Sequence, residues 1–474
     1  MRRTKIIATL GPATDEPEAL EALLRAGTDV VRVNFSHGEH EDQKRRIEMV
    51  HELSAKIGRY VGILGDLQGP KIRIRRFVNS PVELKEGQKF VLDSAMDGGA
   101  GTEEAVAVAY EGLAADLDPG DVLLLDDGKI TLDVEHVEGT CIHCIVRVGG
   151  PLGNNKGINK QGGGLSAPAL TDKDREDIVF AAEAAVDWLA VSFVRSPEDV
   201  NEARRLLREA GGKGHLVAKI ERAEAVGNLD EIIDASDAVM VARGDLAVET
   251  GYAGMTGLQK RIIKHARNRH KIAITATQMM ESMIQAQLPT RAEVSDVANA
   301  VMDGTDAVML SAESAVGQYP DKAVDLMADI CLGAEAYKLP TGRTRRADDH
   351  FGYVDQAIAM SVMYAANHMD VHAIVALTES GSTALWMSRI RSDIPIFAFT
   401  RHEATLRRVA LYRGVHPVHF DPTLSGGDKL YNDLFAKLLE LEFAREGDLL
   451  IFTKGEMTGV SGGTNSMTIL RVTG

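Results

Sequence analysis

The chain has 474 residues, enough for about three domains at roughly 150 residues each. Hydrophobic residues make up 45% and charged residues 26%, the balance of a chain that buries ordinary globular cores. A net charge of −16 argues against nucleic acid or an anionic membrane as a general partner, and no uninterrupted apolar run reaches the length of a membrane span.

In chain order, "TKIIATL" comes first and is cut off by Gly11-Pro12, too short for the core of a signal peptide. A helix is expected around Pro17 to Arg25. "TDVVRVNF" follows, then a helix from about Glu41 to Ile57, then "YVGILGD". After an interruption the alternation resumes with "VDWLAVSF", "HLVAKIE", "SDAVMVARGD", "KIAITATQ" and "TDAVMLSAE", each before a helical stretch. Continuous apolar strands alternating with helices point to a parallel sheet covered on both faces. Eight such runs suggest a closed (β/α)8 TIM barrel, with an open doubly wound sheet as the alternative that periodicity leaves standing.

The interruption, about Ile72 to Ser166, is rich in short β-like runs and Gly/Asp turns, and "DVLLLDDGKITLDVEHVEG" reads as a hairpin around Asp127-Gly128. A small β-barrel cap inserted in a barrel loop is expected there. The stretch from Lys338 to His350 reads as a linker. Beyond it "HAIVALT", "IPIFAFT", "VHPVHF" and "DLLIFT" give a separate C-terminal α/β domain. The resulting domains are 1–70 (barrel, first part), 71–167 (inserted cap), 168–340 (barrel, second part) and 350–474 (C-terminal domain).

Cys141 and Cys144 form a C-x-x-C in "TCIHCIVRV", but no second pair completes a zinc set. In a strand these positions face opposite sides, so buried or half-buried free thiols are expected. Few cysteines suggest a reducing compartment, and a cytoplasmic protein is expected.

Polar residues gather at the ends of the barrel runs: Arg32, Asn34 and Ser36, then Asp66, Ser192, Lys219 with Glu221, Arg243 to Asp245, Thr277 and Ser311. Barrel enzymes place catalysis at the C-terminal strand ends. Glu221 and Asp245 are hard oxygen donors from consecutive strands and suit Mg2+, although either alone reads better as a surface acid in a salt bridge. Lys219 shares a strand face with Glu221, and a lysine beside a metal suggests stabilisation of a phosphoryl group in transfer. Arg32 and Arg73 can clamp phosphate oxygens. Gly244 and Asp245 open a helical segment whose N–H groups can hold an anion. No G-x-x-x-x-G-K-[ST] is present. "GGGLSA", Gly162 to Ala167, matches a dinucleotide fingerprint formally, but it follows no clear strand and reads better as a hinge. "KRIIKHARNRHK" reads as a solvated helix face.

Taken together, "VNFSHG", "GDLQGPKIR", "NNKGIN", "VAKIE", "VARGDL", "TATQMMESM", "PTRAEVSDVANAVMDGTDAVMLSAE" and "GQYP" resemble the motif set of the pyruvate kinases, from Lys5 through the C-terminal domain. The resemblance implies phosphoryl transfer from phosphoenolpyruvate to ADP. Carried over by motif, Glu221 and Asp245 hold Mg2+ or Mn2+ and Lys219 stabilises the phosphoryl group. Arg32 contacts the substrate phosphate, and Arg73, Lys156, Thr9, Pro12 and His37 serve the nucleotide. Gly244, Asp245 and Thr277 hold the substrate carboxylate, and Thr277 and Ser311 belong to the proton route. It also implies a homotetramer and a phosphorylated allosteric effector at Thr378, Ser380, Gly381, Ser382 and Thr383, with "GVSGGTNS", Gly459 to Ser466, as a second wall. Capping of the following helix by Ser382 or Thr383 is the plainer reading of that loop. A non-catalytic sensor on the same fold, or another phosphoenolpyruvate enzyme on a barrel, would lack Lys219, Glu221 and Asp245 or the inserted cap.

The family's monovalent-cation ligands correspond to Asn34, Ser36, Asp66 and the backbone carbonyl of Leu67. The K+-dependent members carry a glutamate where this chain has Lys71, so the resemblance implies that the lysine replaces K+ and that K+ is not required. Two departures stand out. Ala247 replaces a glycine after "ARGDL", and "ETGYAGMTG" lacks the usual acidic and proline residues, which puts the local helix geometry in question.

Overall fold

The computed structural model describes residues 1–337, 351–425, 429–455 and 463–473. The linker reading at Lys338 to His350 lies outside the described residues. Two compact units hold Met1–Gly65, Ala184–Trp188 and Ala266–Gly474 in one, and Asp66–Glu183 and Leu189–His265 in the other.

The first strands are β1 (Lys5–Thr9), β2 (Val30–Asn34) and β3 (Gly62–Asp66). The inserted module then supplies β4 (Val82–Leu84), β5 (Lys89–Asp93), β6 (Ala105–Ala107), β7 (Val122–Leu125), β8 (Ile130–Glu138), β9 (Cys141–Val148), β10 (Gly150–Leu152) and β11 (Ile158–Lys160). After it come β12 (Trp188–Val191), β13 (His215–Ile220), β14 (Ala238–Ala242), β15 (Ile272–Ala276) and β16 (Ala307–Leu310). The strands β1-β16-β15-β14-β13-β12-β3-β2 close into one barrel, which excludes the open sheet. β1, β3, β14 and β15 are buried along their whole length, as continuous apolar runs in a parallel barrel should be.

Local signals set the flanking helices. Pro17–Arg25 starts on a proline whose missing N–H would be unpaired there anyway, carries Glu18 in its first turn and Arg25 in its last, and buries Leu20, Leu23 and Leu24. His40–Lys56 lies one residue upstream of the expected bounds at each end. Thr290 caps Arg291–Asp303 through the Glu293 N–H, with Glu293 reaching back to Thr290.

The module is all-β, with a six-stranded sheet β11-β7-β8-β9-β5-β6 and a β10-β4 pair around a core that includes Phe77, Phe90, Leu123, Leu132 and Ile142. The hairpin at Asp127-Gly128 is present: Leu125 pairs with Ile130, and Asp126, Asp127 and Gly128 all take positive φ. Cys144 points into this core and Cys141 away from it, both as free thiols. "GGGLSA" does follow a strand, β11, contrary to the sequence reading. However, Gly162, Gly163 and Gly164 have φ of +85°, +80° and +94°, and the next helix begins only at Asp172, so no dinucleotide turn forms.

The C-terminal sheet has the order β19-β18-β17-β20-β21, from β17 (Ala373–Leu377), β18 (Ile396–Thr400), β19 (Val415–His419), β20 (Leu449–Gly455) and β21 (Thr464–Arg471). Its first four strands are the four expected. β21 is an antiparallel edge strand that the sequence reading lacked. Its side chains are mostly half-buried or exposed, so no apolar run announces it.

Candidate active site

Unit Asp66–Glu183 with Leu189–His265 contains a tight cluster of charge. Lys219, the penultimate residue of β13, directs its Nζ to Asp66 Oδ1 at 3.3 Å, Glu221 Oε1 at 3.0 Å and the Ser192 hydroxyl at 2.8 Å. Asp66 is 1% and Glu221 3% exposed, against 12% for Lys219. Two buried carboxylates around one ammonium need further hydrogen bonds to be tolerated. Glu221 Oε2 accepts the Phe193 N–H at 2.8 Å, from a residue held at φ +54°. The Ser192 hydroxyl in turn donates to the Leu67 carbonyl at 2.7 Å. Burial pushes the Glu221 carboxyl up, the Lys219 ammonium pulls it down, and the Asp245 carboxylate pushes it up again.

That last influence places Asp245 in the field of Glu221. Hard oxygens from two successive strand ends form a donor set that fits a hard divalent cation. Asp245 sits in the first turn of the helix Arg243–Thr250, as the sequence suggests. Ala247 is buried within this continuous helix, and Gly251, at φ +90°, closes it by donating to the Ala247 carbonyl at 2.9 Å. The departures from the family pattern therefore leave the helix regular.

Lys71 is not a solvent-facing lysine. Its Nζ lies 3.0 Å from Asp245 Oδ1 and 4.0 Å from Asp127 Oδ1, and the side chain is 24% exposed. The preceding turn explains this aim. Gly69 has φ +67°, and a Cβ there would stand 2.8 Å from both Ser192 Cβ and Phe193 Cδ2. Its N–H donates to buried Asp174 at 3.0 Å, so the turn is anchored before the chain reaches Lys71. The stem of Lys71 then lies against Gly157, where a Cβ would come within 3.0 Å of its Cε.

The nucleotide candidates of this unit lie on the module. Arg73, half-buried, bridges to Gly157 in the backbone and donates to the Asn155 carbonyl at 3.0 Å. Lys156 pairs with Asp126 at 2.8 Å. Burial pushes the Asp126 carboxyl up, and the hydrogen bonds from Lys156 and Lys129 outweigh it, so it stays below the ordinary carboxylate range.

In the other unit, Arg32 donates to Thr9 Oγ1 at 3.2 Å, and that hydroxyl donates to the Leu310 carbonyl at 2.8 Å. Ser36 donates its N–H to Asn34 Oδ1 at 3.1 Å. Pro12 opens a short 3-10 turn, and the His37 carbonyl accepts from Gln43. Thr277 stands at φ +65° with Gln278 at +52°, a left-handed pair that a β-branched residue adopts only under constraint, and such strain concentrates at working sites. Ser311 donates its N–H to buried Glu313 at 2.7 Å, and Glu313 also accepts from Met280 at 3.1 Å.

In the C-terminal domain, Gly381, not Ser382 or Thr383, occupies the cap position of the helix Ser382–Ser388, at φ +83° and without a side-chain cap bond. Thr378 Oγ1 accepts the Gly381 N–H at 2.9 Å. Ser380 and Ser382 hydroxyls lie 3.3 Å apart, and Thr383 is buried with its hydroxyl 2.6 Å from that of Thr464. The capping reading of Ser382 and Thr383 is thus corrected: the turn leaves no room for a larger residue at 381, where a Cβ would meet Val409 Cγ1 at 2.7 Å. Part of "GVSGGTNS", residues 459–462, lies outside the described residues.

The sequence reading missed the Phe193 amide, the Ser192 relay to Leu67 and Glu249. The last is buried, pushed up to about 7 mainly by burial, and accepts the Ala223 N–H at 2.9 Å. Positive φ after a strand is the signal that would have found Phe193, and a sequence does not display it.

A (β/α)8 barrel with an inserted β module, and with lysines and carboxylates on its strand ends, defines a barrel enzyme acting on anionic substrates. Comparison with known proteins makes this specific. The model of the pyruvate kinase barrel domain matches residues 1–324, and that of the pyruvate kinase alpha/beta domain matches residues 356–470. The chain is 56% identical to pyruvate kinase II of Salmonella typhimurium, over 100% of this chain and 99% of that one. It is 51% identical to a pyruvate kinase of Haemophilus influenzae, over 96% of each, and 42% identical to one of Corynebacterium glutamicum, over 98% and 96%. The chain belongs to the pyruvate kinase family. Its reaction is the transfer of a phosphoryl group from phosphoenolpyruvate to ADP, giving pyruvate and ATP, the last step of glycolysis.

Proposed function

We propose that the Lys219–Asp66–Glu221 cluster performs this transfer, with Lys219 as the catalytic cation. The observation that carries the reading is the ammonium held by two carboxylates that are themselves almost inaccessible. Such a group is positioned before substrate arrives, and phosphoryl transfer depends mainly on positioning and charge stabilisation. Glu221 and Asp245 would hold Mg2+ or Mn2+, which when bound supplies charge neutralisation at the phosphate oxygens. Arg32 binds the substrate phosphate. Gly244, Asp245 and Thr277 bind its carboxylate, and Thr277 and Ser311 carry the proton to the enolate carbon. Arg73 and Lys156 face the nucleotide phosphates, with Thr9, Pro12 and His37 completing that side. Arg73 and Lys156 belong to the all-β module, which acts as the cap over the site; the domains are those at 1–70, 71–167, 168–340 and 350–474.

Lys71 takes over the work of the monovalent cation. Its ammonium is directed onto the very carboxylate that would share the divalent metal, so positive charge is built into the chain beside it. Of the corresponding K+ ligands, the Leu67 carbonyl already accepts from Ser192 and Asp66 is already paired with Lys219. Turnover without K+ follows. The loop Thr378 to Thr383 binds a phosphorylated effector, supported by the half-buried hydroxyls of Thr378, Ser380 and Ser382 next to Arg401 and Arg408 side chains that hydrogen-bond or ion-pair with Ser380 and Glu379. A cytoplasmic homotetramer is the assembly that the family resemblance favours. No helix among the described residues is long and apolar enough to cross a membrane.

The test is Asp245→Asn, which removes charge at the metal with little change in volume. Turnover at ordinary Mg2+ should fall about 10²- to 10³-fold with an unchanged melting temperature. Near-normal turnover would remove Asp245 from the metal site.

A further inference from the structure

The inserted module carries a second cluster of ligand-type side chains, remote in sequence from the strand ends above. His136, Glu138 and His143 each offer one donor atom, and the three lie within 4.8 Å of one another. The two imidazoles are stacked, with centroids 4.3 Å apart and planes 7° off parallel. They come from opposite strands of the β8–β9 hairpin. His136 pairs with His143, and Glu138 pairs with Cys141 across the Gly139-Thr140 turn.

This juxtaposition depends on one irregularity. Val134 pairs with Cys144 and His136 with His143, so β8 spends two residues where β9 spends one, and Glu135 is the bulged residue. Without the bulge, Glu135 would oppose His143 and His136 would turn to the other face, because side chains alternate along a strand. Val137 packs on the module core, which fixes His136 and Glu138 on the outward face. Two nitrogens and one carboxylate oxygen converge there, with His136 and Glu138 open to solvent. A stack of two rings beside a carboxylate is also what an ordinary surface can show. The bulge, however, aligns the donors, and bulges of this kind re-aim side chains.

We propose that His136, His143 and Glu138 bind a divalent late transition-metal ion, with solvent completing its coordination. The donor set selects the ion: imidazole suits Zn2+, Cu2+ and Ni2+, whereas Mg2+ prefers oxygen alone. The site is therefore chemically distinct from the carboxylate pair Glu221 and Asp245. A bound ion would also pin the two strands of the hairpin beside its turn.

The experiment uses the full chain in saturating MgCl2, so that the all-oxygen site is filled. Zn2+ is titrated by calorimetry, and Co2+ is used as a visible-absorption probe. Wild type should bind one Zn2+ per chain more tightly than the His136→Asn/His143→Asn double variant binds any. Each single His variant, and Glu138→Gln, should weaken that event at least about tenfold, as loss of even an outer-shell partner does. The cobalt ligand-field bands should vanish in the double variant. Steady-state turnover, retained in all variants, certifies the fold. Equal Zn2+ isotherms for wild type and the double variant, or no Zn2+ binding by wild type, would overturn the proposal.

Discussion

Two polar regions of this chain carry functional readings, and they differ in how the fold treats them. The Lys219 cluster is buried, and each charged group has a partner that the fold supplies, among them Ser192 for Lys219 and the Phe193 amide for Glu221. The Thr378 to Thr383 loop is a half-exposed turn whose hydroxyls are engaged with one another and with neighbouring backbone. Burying charge is unfavourable by several kcal/mol per ion unless it is compensated, so a buried, compensated cluster demands a reason beyond stability. A polar turn at the surface demands none. The reading of the first region therefore rests on its geometry, and that of the second leans on resemblance.

The sharpest way to separate the regions is through Lys71. Lys71→Glu places a third carboxylate with Asp245 and Asp127, where unit charges a few ångströms apart interact by about 4 kcal/mol at an intermediate dielectric. In tetramethylammonium buffer, added KCl should change wild-type turnover less than about twofold and raise that of Lys71→Glu at least about tenfold. A wild type nearly inactive until K+ is added would break the assignment.

The C-terminal loop should give a smaller effect. A sugar phosphate or nucleoside monophosphate should lower the half-saturating phosphoenolpyruvate concentration about fivefold or more. Ser382→Asp should abolish that response while leaving basal turnover intact, because it places like charge against the phosphate. If a panel of such ligands changes neither affinity nor melting temperature, the loop is a turn and nothing more.

The smallest effect concerns stability. His416 is half-buried, its buried Nε2 has no hydrogen-bond partner among the described residues, and desolvation brings its pKa down to about 3. Unfolded histidine takes a proton below about pH 6.5, while native His416 refuses it until about 3. Stability is thus full above pH 6.5 and is lost as pH falls, by up to ~1.4 kcal/mol per unit. His416→Gln should flatten the fall in melting temperature between pH 7.5 and 5. An unchanged slope would assign the acid sensitivity elsewhere.

Much of the fold was legible because its signals are local. Eight apolar runs became the eight barrel strands, and the helix Pro17–Arg25 was bounded correctly by its proline and its terminal charges. β21 was illegible because an edge strand exposes alternate side chains and shows no apolar run. At the site, residue types were legible and partnerships were not. Lys71 meets Asp245 across 174 positions, and Phe193 reaches Glu221 across 28 by a backbone amide that no residue code displays. The register shift that turns His136 toward His143 is likewise invisible until the strands are paired.

The most direct test of the claim that the buried cluster performs the transfer is the steady-state kinetics of Lys219→Met, which keeps the apolar stem and removes the ammonium. A charge that acts in the transition state predicts a kcat lower by about 10³-fold, with the KM for phosphoenolpyruvate changed only a few-fold. Melting of the variant above the assay temperature would show that Asp66 and Glu221 tolerate its loss. A variant that keeps kcat and raises only KM would contradict the account, because Lys219 would then bind the substrate without acting on its transfer.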